Sequence, residues 1–178
     1  MLVHFGYWSH DIGGFYEGAS GELYTRWVQL GVFSPIFRAH GFRRAEIEKR
    51  FWLFDKPSFA AMRSALLLRI EWLPHLYSAA RRAHDGGPSP VRPLYYAWPL
   101  QPAAYARPSH FLFGSSDVVV APVTRRGEPD APLTRGVALW VPPGEWFQLH
   151  SGARLWGPAS LLQSFALDEI PVLVVRAE

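Results

Sequence analysis

Ser9-His10-Asp11-Ile12-Gly13-Gly14-Phe15, then Arg26-Trp27-Val28-Gln29-Leu30-Gly31, then Phe33-Ser34-Pro35-Ile36-Phe37-Arg38-Ala39-His40 is the stretch on which the fold turns. Residues 2–15 mix apolar and aromatic side chains and then break at two consecutive glycines. That pattern predicts a short buried strand ending in a turn. Over residues 22–33, Leu23, Trp27 and Leu30 fall four and three positions apart, on one face of a helix. Pro35 stops that helix. Residues 36–41 are short and apolar, and turn polar at Arg38 and His40.

Working outward, a longer helix follows. Ser58 is placed to cap it, and Phe59, Met62, Leu66, Ile70 and Leu73 keep a three-to-four spacing. Pro74 should kink the helix or start a second segment. Asp85-Gly86-Gly87-Pro88 ends the helical part and marks a boundary between two lobes, residues 1–88 and 89–178. Beyond it the pattern changes to short strands punctuated by proline and glycine. The clearest runs are residues 118–120, 137–141, 146–149 and 172–175, with a polar and mobile loop expected over 124–135. The coarse order is strand, helix, strand, long helix, then an all-β lobe.

Composition narrows the function classes. Of 178 residues, 49% are hydrophobic and 19% charged, which excludes a disordered chain and predicts a sizeable core. Eight tryptophans suit buried cores and sugar-stacking platforms alike. The net charge of +3 comes almost wholly from arginines scattered in pairs such as Arg81–Arg82 and Arg125–Arg126. A nucleic-acid binder would gather them into a stripe, so no nucleic-acid partner is expected. Cysteine is absent, which removes disulfides, a thiol nucleophile and thiolate metal sites, and fits a reducing compartment. The first residues lack a basic leader and a long apolar run, and no stretch approaches the length of a membrane span. No membrane partner is expected. His10, Asp11 and His40 are acceptable metal-ligand types, but no helical His-x-x-x-His pair supports them, so neither metal nor cofactor is expected. A Gly-x-Ser-x-Gly elbow is missing too, which argues against a serine hydrolase.

The three opening segments, taken in order with Arg69 to Tyr77, Val91-Arg92-Pro93-Leu94, Phe111-Leu112-Phe113-Gly114, Val141-Pro142-Pro143-Gly144-Glu145-Trp146 and Ile170-Pro171-Val172, resemble glycoside hydrolase family 31 along the whole chain. Any one block is weak; the ordered set is specific. The resemblance implies α/β plus all-β architecture: the last two β/α units of a partial (β/α)8 TIM barrel, followed by an antiparallel β-sandwich-like domain. It also implies retaining hydrolysis of α-linked glycosides, α-glucosides first among them, by a carboxylate nucleophile and a carboxyl acid/base about 5–5.5 Å apart. In the family those two aspartates sit in tryptophan-x-aspartate-methionine-asparagine-glutamate and glycine-aspartate-asparagine motifs, and neither motif occurs here. No catalytic residue is therefore expected in this chain, and the isolated chain is expected to be inactive. Carried over by position are binding residues. His40 matches a histidine that hydrogen-bonds sugar hydroxyls, Arg38 and Asp11 match polar groups beside it, and Phe15 matches an aromatic lining the same subsite. The expected partner is an α-linked oligosaccharide or glycoside; oligomeric state is left open. Where the family has glutamate-proline-tryptophan after its Arg-x-His turn, this chain reads Ala45-Glu46-Ile47-Glu48-Lys49-Arg50-Phe51-Trp52. His75 likewise replaces a usual tyrosine. The alternative reading is a non-catalytic carbohydrate-binding or scaffold module.

Residue by residue, bland readings stand beside these. Asp11 before two glycines can cap a turn. Arg38 can simply pair with it. Phe15 and Trp27 are core by default.

Overall fold

A computed structural model describes residues 7–16, 18–42, 44–128 and 133–175. Helix α1, Gly21–Val32, begins at Ser20, whose hydroxyl accepts from the Leu23 backbone N–H, and ends at Phe33 ahead of Pro35. On either side of it the chain is extended. Ile12 donates to the Arg38 carbonyl at 3.1 Å and His40 donates to the Ile12 carbonyl at 3.0 Å, so Ile12 and Ala39 form a parallel bridge. Helix α1 appears as read, while the two expected strands are represented among the described residues by this single bridge; residues 1–6 lie outside the described residues.

The long helix is two: α2, Lys56–Glu71, and α3, Leu73–His84, with Pro74 in the first turn of the second. Two expectations need correction. Asp55, not Ser58, caps α2, because its carboxylate accepts both the backbone N–H (2.9 Å) and the hydroxyl (2.8 Å) of Ser58. The buried face of α2 also matches the spaced apolar stripe only at Met62 and, in part, at Leu66. Ser58, Ala61, Met62 and Ala65 face inward, while Phe59 and Ile70 stay exposed, as does Leu73 at the start of α3. Small residues let α2 approach α1 closely, so the contact takes Ala61 and Ala65 beside Met62 and leaves Phe59 and Ile70 outside.

After Gly86-Gly87, six strands form one antiparallel sheet: β1 Val91–Pro93, β2 Phe111–Phe113, β3 Val118–Val120, β4 Leu133–Gln148, β5 Arg154–Ala166 and β6 Val172–Val174, in the order β1-β2-β3-β6-β4-β5. The two expected runs at 137–141 and 146–149 are largely one strand, β4, with register shifts between Val141 and Gly144. The sheet separates two cores. Phe111, Phe113, Val118, Val120 and Val172 pack with Tyr24, Val28 and Met62 of the helices. On the opposite face Leu112, Val119 and Leu173 pack with Leu139, Trp140 and Trp146, so β4 folds back over the sheet to which its end belongs. This gives a sandwich-like section without a second hydrogen-bonded sheet among the described residues. Of the expected loop over 124–135, residues 129–132 lie outside the described residues and Leu133 onward belongs to β4.

Arg26 joins the two parts. It lies on α1, is buried, and donates to the carbonyls of Ala166 (2.8 Å) and Glu169 (2.9 Å) in the turn after β5 and to Gln29 Oε1 (3.1 Å). Gln29 adds a bond to the Leu167 carbonyl at 2.6 Å. Burial lowers the arginine's pKa, opposed by Glu22, Glu169 and Asp168.

Candidate functional site

The site grows from the two extended segments that flank α1. Gly13 and Gly14 both have positive φ, +93° and +77°, and a Cβ on Gly13 would overlap the Tyr24 ring. Only glycine permits this turn, closed by the Gly14 N–H on the Asp11 carbonyl at 2.8 Å. It places Asp11 before the turn and Phe15 after it. The partner segment is held from below by Arg69 of α2, whose guanidinium donates to the carbonyls of Val32 (2.6 Å), Ser34 and Pro35 (3.1 Å). The first is a carbonyl that the end of α1 leaves without a helical partner, and the other two belong to the turn that follows. Arg38 and His40 follow directly.

All four expected site residues meet. The Arg38 guanidinium donates to Asp11 Oδ1, and His40 Nε2 stands 3.9 Å from Asp11 Oδ2. The Phe15 ring lies 4.9 Å from the His40 ring, centroid to centroid, at 46°. Phe42 and Tyr16 extend this aromatic wall, at 5.5 Å and 4.3 Å from Phe15. The Asp11 and Arg38 side chains are about half exposed, at 39% and 53%, whereas His40 is mostly covered at 21%. His40 Nδ1 is buried without a hydrogen-bond partner among the described residues. Pairing with Arg38 orients the Asp11 carboxylate as an acceptor. The group therefore offers an acceptor, two donors and an apolar wall on one rim. A cleft of about 450 Å³ runs from His40 and Phe42 along Glu48 and Arg50 to Trp52.

His10 takes no part in it. Its Nδ1 accepts from Trp27 Nε1 at 2.8 Å, which leaves Nε2 to donate to the Ser34 hydroxyl at 3.0 Å, and burial lowers its pKa. Both nitrogens are committed to holding the strand on α1, and Trp27 is tied in with them. Among the described residues no group of three or more His, Cys, Asp or Glu gathers as a metal set. Sequence reasoning passed over Lys49, whose ammonium donates to the Gly14 carbonyl at 2.6 Å. In a stretch as polar as 44–50 nothing distinguishes it from a solvated lysine.

Two extended segments joined by one parallel bridge and connected by a helix, with polar and aromatic groups at their ends and an antiparallel sheet following, have the form of one β/α unit ahead of a β domain. Comparison makes the class particular. The model for the glycosyl hydrolases family 31 TIM-barrel domain matches residues 1–79, and that for the family 31 C-terminal domain matches residues 87–177. Alpha-glucosidase 2 of Bacillus thermoamyloliquefaciens is 35% identical over 92% of this chain, and mouse neutral alpha-glucosidase AB is 30% identical over 96%. A GH31 α-xylosidase from a soil metagenome, solved with xylose, superposes with a TM-score of 0.84 at 32% identity, over 98% of this chain and 28% of its own. The Flavobacterium johnsoniae GH31 dextranase, solved with isomaltotriose, gives 0.81 at 30% identity, over 95% of this chain and 20% of its own. The chain belongs to glycoside hydrolase family 31. It spans about a fifth of the length of those curated relatives, 20% and 18%.

Proposed function

We propose that this chain supplies one wall of the sugar pocket of a retaining α-glycosidase acting on α-glucosides, while the nucleophile and the acid/base carboxyl belong to the remainder of such an enzyme. The observation that carries the reading is the meeting of Asp11, Arg38, His40 and Phe15 at the ends of two parallel extended segments. A pyranose ring presents directional hydroxyls around an apolar face. Fixed donors, a fixed acceptor and an aromatic wall are its complement. Arg38 orients Asp11, Asp11 and His40 face hydroxyls, and Phe15 covers the ring. Relatives named alpha-glucosidase, and a dextranase solved with isomaltotriose, support glucosides as the class.

Titration of the chain with methyl α-D-glucoside, followed by NMR, tests this. The resonances of His40 and Phe15 should move on titration to a millimolar dissociation constant, about −4 kcal/mol. His40→Ala and Asp11→Asn should abolish the response. The same preparation should leave an aryl α-glucoside intact, because loss of an essential catalytic group costs about a million-fold in turnover. Sugar-induced shifts confined to the β domain would instead establish the carbohydrate-binding or scaffold module.

A further inference from the structure

Lys49 and Lys56 are the two lysines of the sequence, and the structure treats them oppositely. Lys56 is exposed at the start of α2, whereas Lys49 is buried, with 8% of its surface exposed. Burying an ammonium is costly unless its donors are used, and this one donates to the Gly14 carbonyl at 2.6 Å. Burial lowers its pKa. Among the described residues, Asp11 is engaged with Arg38, and Glu48 with Arg50 at 3.0 Å. A carbonyl dipole is thus the partner the structure gives it.

The stem of Lys49 runs beneath both rim segments. A Cβ on Gly13 would stand 3.0 Å from Lys49 Cδ, and one on Gly41 would stand 3.9 Å from the same carbon. Gly14 immediately precedes Phe15, and Gly41 immediately follows His40. The side chain therefore bonds the turn at Gly14, one residue before Phe15, and passes near Gly41, one residue after His40. The glycine pair has no side chain of its own to anchor the exit of the turn, and glycine is the residue with the most backbone freedom to lose. Its one internal bond, Gly14 N–H to the Asp11 carbonyl, closes the entry side. The exit carbonyl is the atom Lys49 holds.

We propose that Lys49 is a positioning residue that straps the Asp11–Phe15 turn to the segment carrying Arg38 and His40, and so sets the spacing of the Phe15 and His40 rings across the pocket. What the pocket binds rests on the function proposed above; the strap is a statement about geometry and is tested without sugar. In the unmodified chain labelled at lysine, the Lys49 ammonium protons should exchange with water at least about tenfold more slowly than those of Lys56, as a hydrogen-bonded buried donor does. Nuclear Overhauser contacts between the Phe15 and His40 rings should be present, lost in Lys49→Met and retained in Lys49→Arg, which keeps a cationic donor. Affinity for methyl α-D-glucoside should fall about tenfold or more in Lys49→Met, about 1.4 kcal/mol, and return in Lys49→Arg. Equal exchange of the two ammoniums, or ring contacts unchanged in folded Lys49→Met, would overturn the strap. If Lys49→Met does not fold, the exchange comparison in the unmodified chain still decides. If the ring contacts follow the substitutions and the unmodified chain binds no glucoside, the strap stands and the proposed function falls.

Discussion

His110 shows how one buried side chain sets a condition for the whole fold. It is 5% exposed beneath β4, accepts the Trp140 backbone N–H on Nε2 at 3.5 Å, and lies near the charge of Arg107. Burial first, and Arg107 second, push its pKa down to about 4. The unfolded chain takes up this proton near pH 6.5, the folded chain only near 4. The neutral form thus contributes stability that is fully present above pH 6.5 and drains away as the pH falls towards 4, on the order of 3 kcal/mol in all. Urea unfolding at pH 7 and pH 5 should show about 2 kcal/mol of that loss, and His110→Gln should flatten it; an unchanged slope in the variant would assign the acid sensitivity elsewhere. His110 was invisible in the sequence, because an isolated histidine before an apolar run carries no sign of its burial. Asp11, Phe15, Arg38 and His40 were legible because glycine pair, helix and Arg-x-His turn occur in order at fixed distances. What that order could not reveal was the pairing: that Arg38 holds Asp11 and that Lys49 lies beneath both.

At the scale of elements, α1 is the keystone, since it carries the parallel crossover and, through Arg26, the β domain. Arg26→Met keeps the apolar stem and removes every donor, leaving the carbonyls of Ala166 and Glu169 short of partners in a covered turn. Charged hydrogen bonds of this kind contribute about 1.5–3 kcal/mol each and are not additive. The variant should lose about 3 kcal/mol and melt roughly 6–12 °C lower. A thermal scan within about 2 °C of the unmodified chain would show that Gln29 and packing alone join the two parts. The helices were legible from their spacing and prolines, yet which face of α2 turns inward was not. Spacing reports where large apolar groups lie, and here the inner surface is chosen by how closely α1 can approach Ala61 and Ala65. The strand β5 escaped notice for a related reason. Gly157-Pro158 in its middle argues against a central strand, but β5 is paired to β4 alone, and an edge tolerates a proline that cannot donate.

For the molecule as a whole, apolar side chains stand exposed in both parts, Leu100, Trp156 and Leu162 in the β domain among them, and the barrel-derived part sets several on consecutive elements. Leu67 and Ile70 on α2, Leu73 and Tyr77 on α3, and Trp52 and Leu53 before them are 44–74% exposed. Among the described residues, the two extended segments at Ile12 and Ala39 pair with each other through a single bridge, with no strand ladder beside them. Contiguous apolar helix faces and open edges are what soluble monomers avoid. Relatives about five times as long have the chain with which to cover such surfaces. The 178-residue chain should therefore self-associate: sedimentation should show a mass that rises with concentration over the micromolar range, together with binding of a hydrophobic dye. Ile70→Lys with Leu73→Glu should shift it towards monomer without loss of helix signal, because both side chains already stand in water and the buried face of α2 is untouched. A monodisperse, cooperatively melting monomer in the unmodified chain would mean that these faces cover one another in solution, and that the barrel-derived part is a self-sufficient unit.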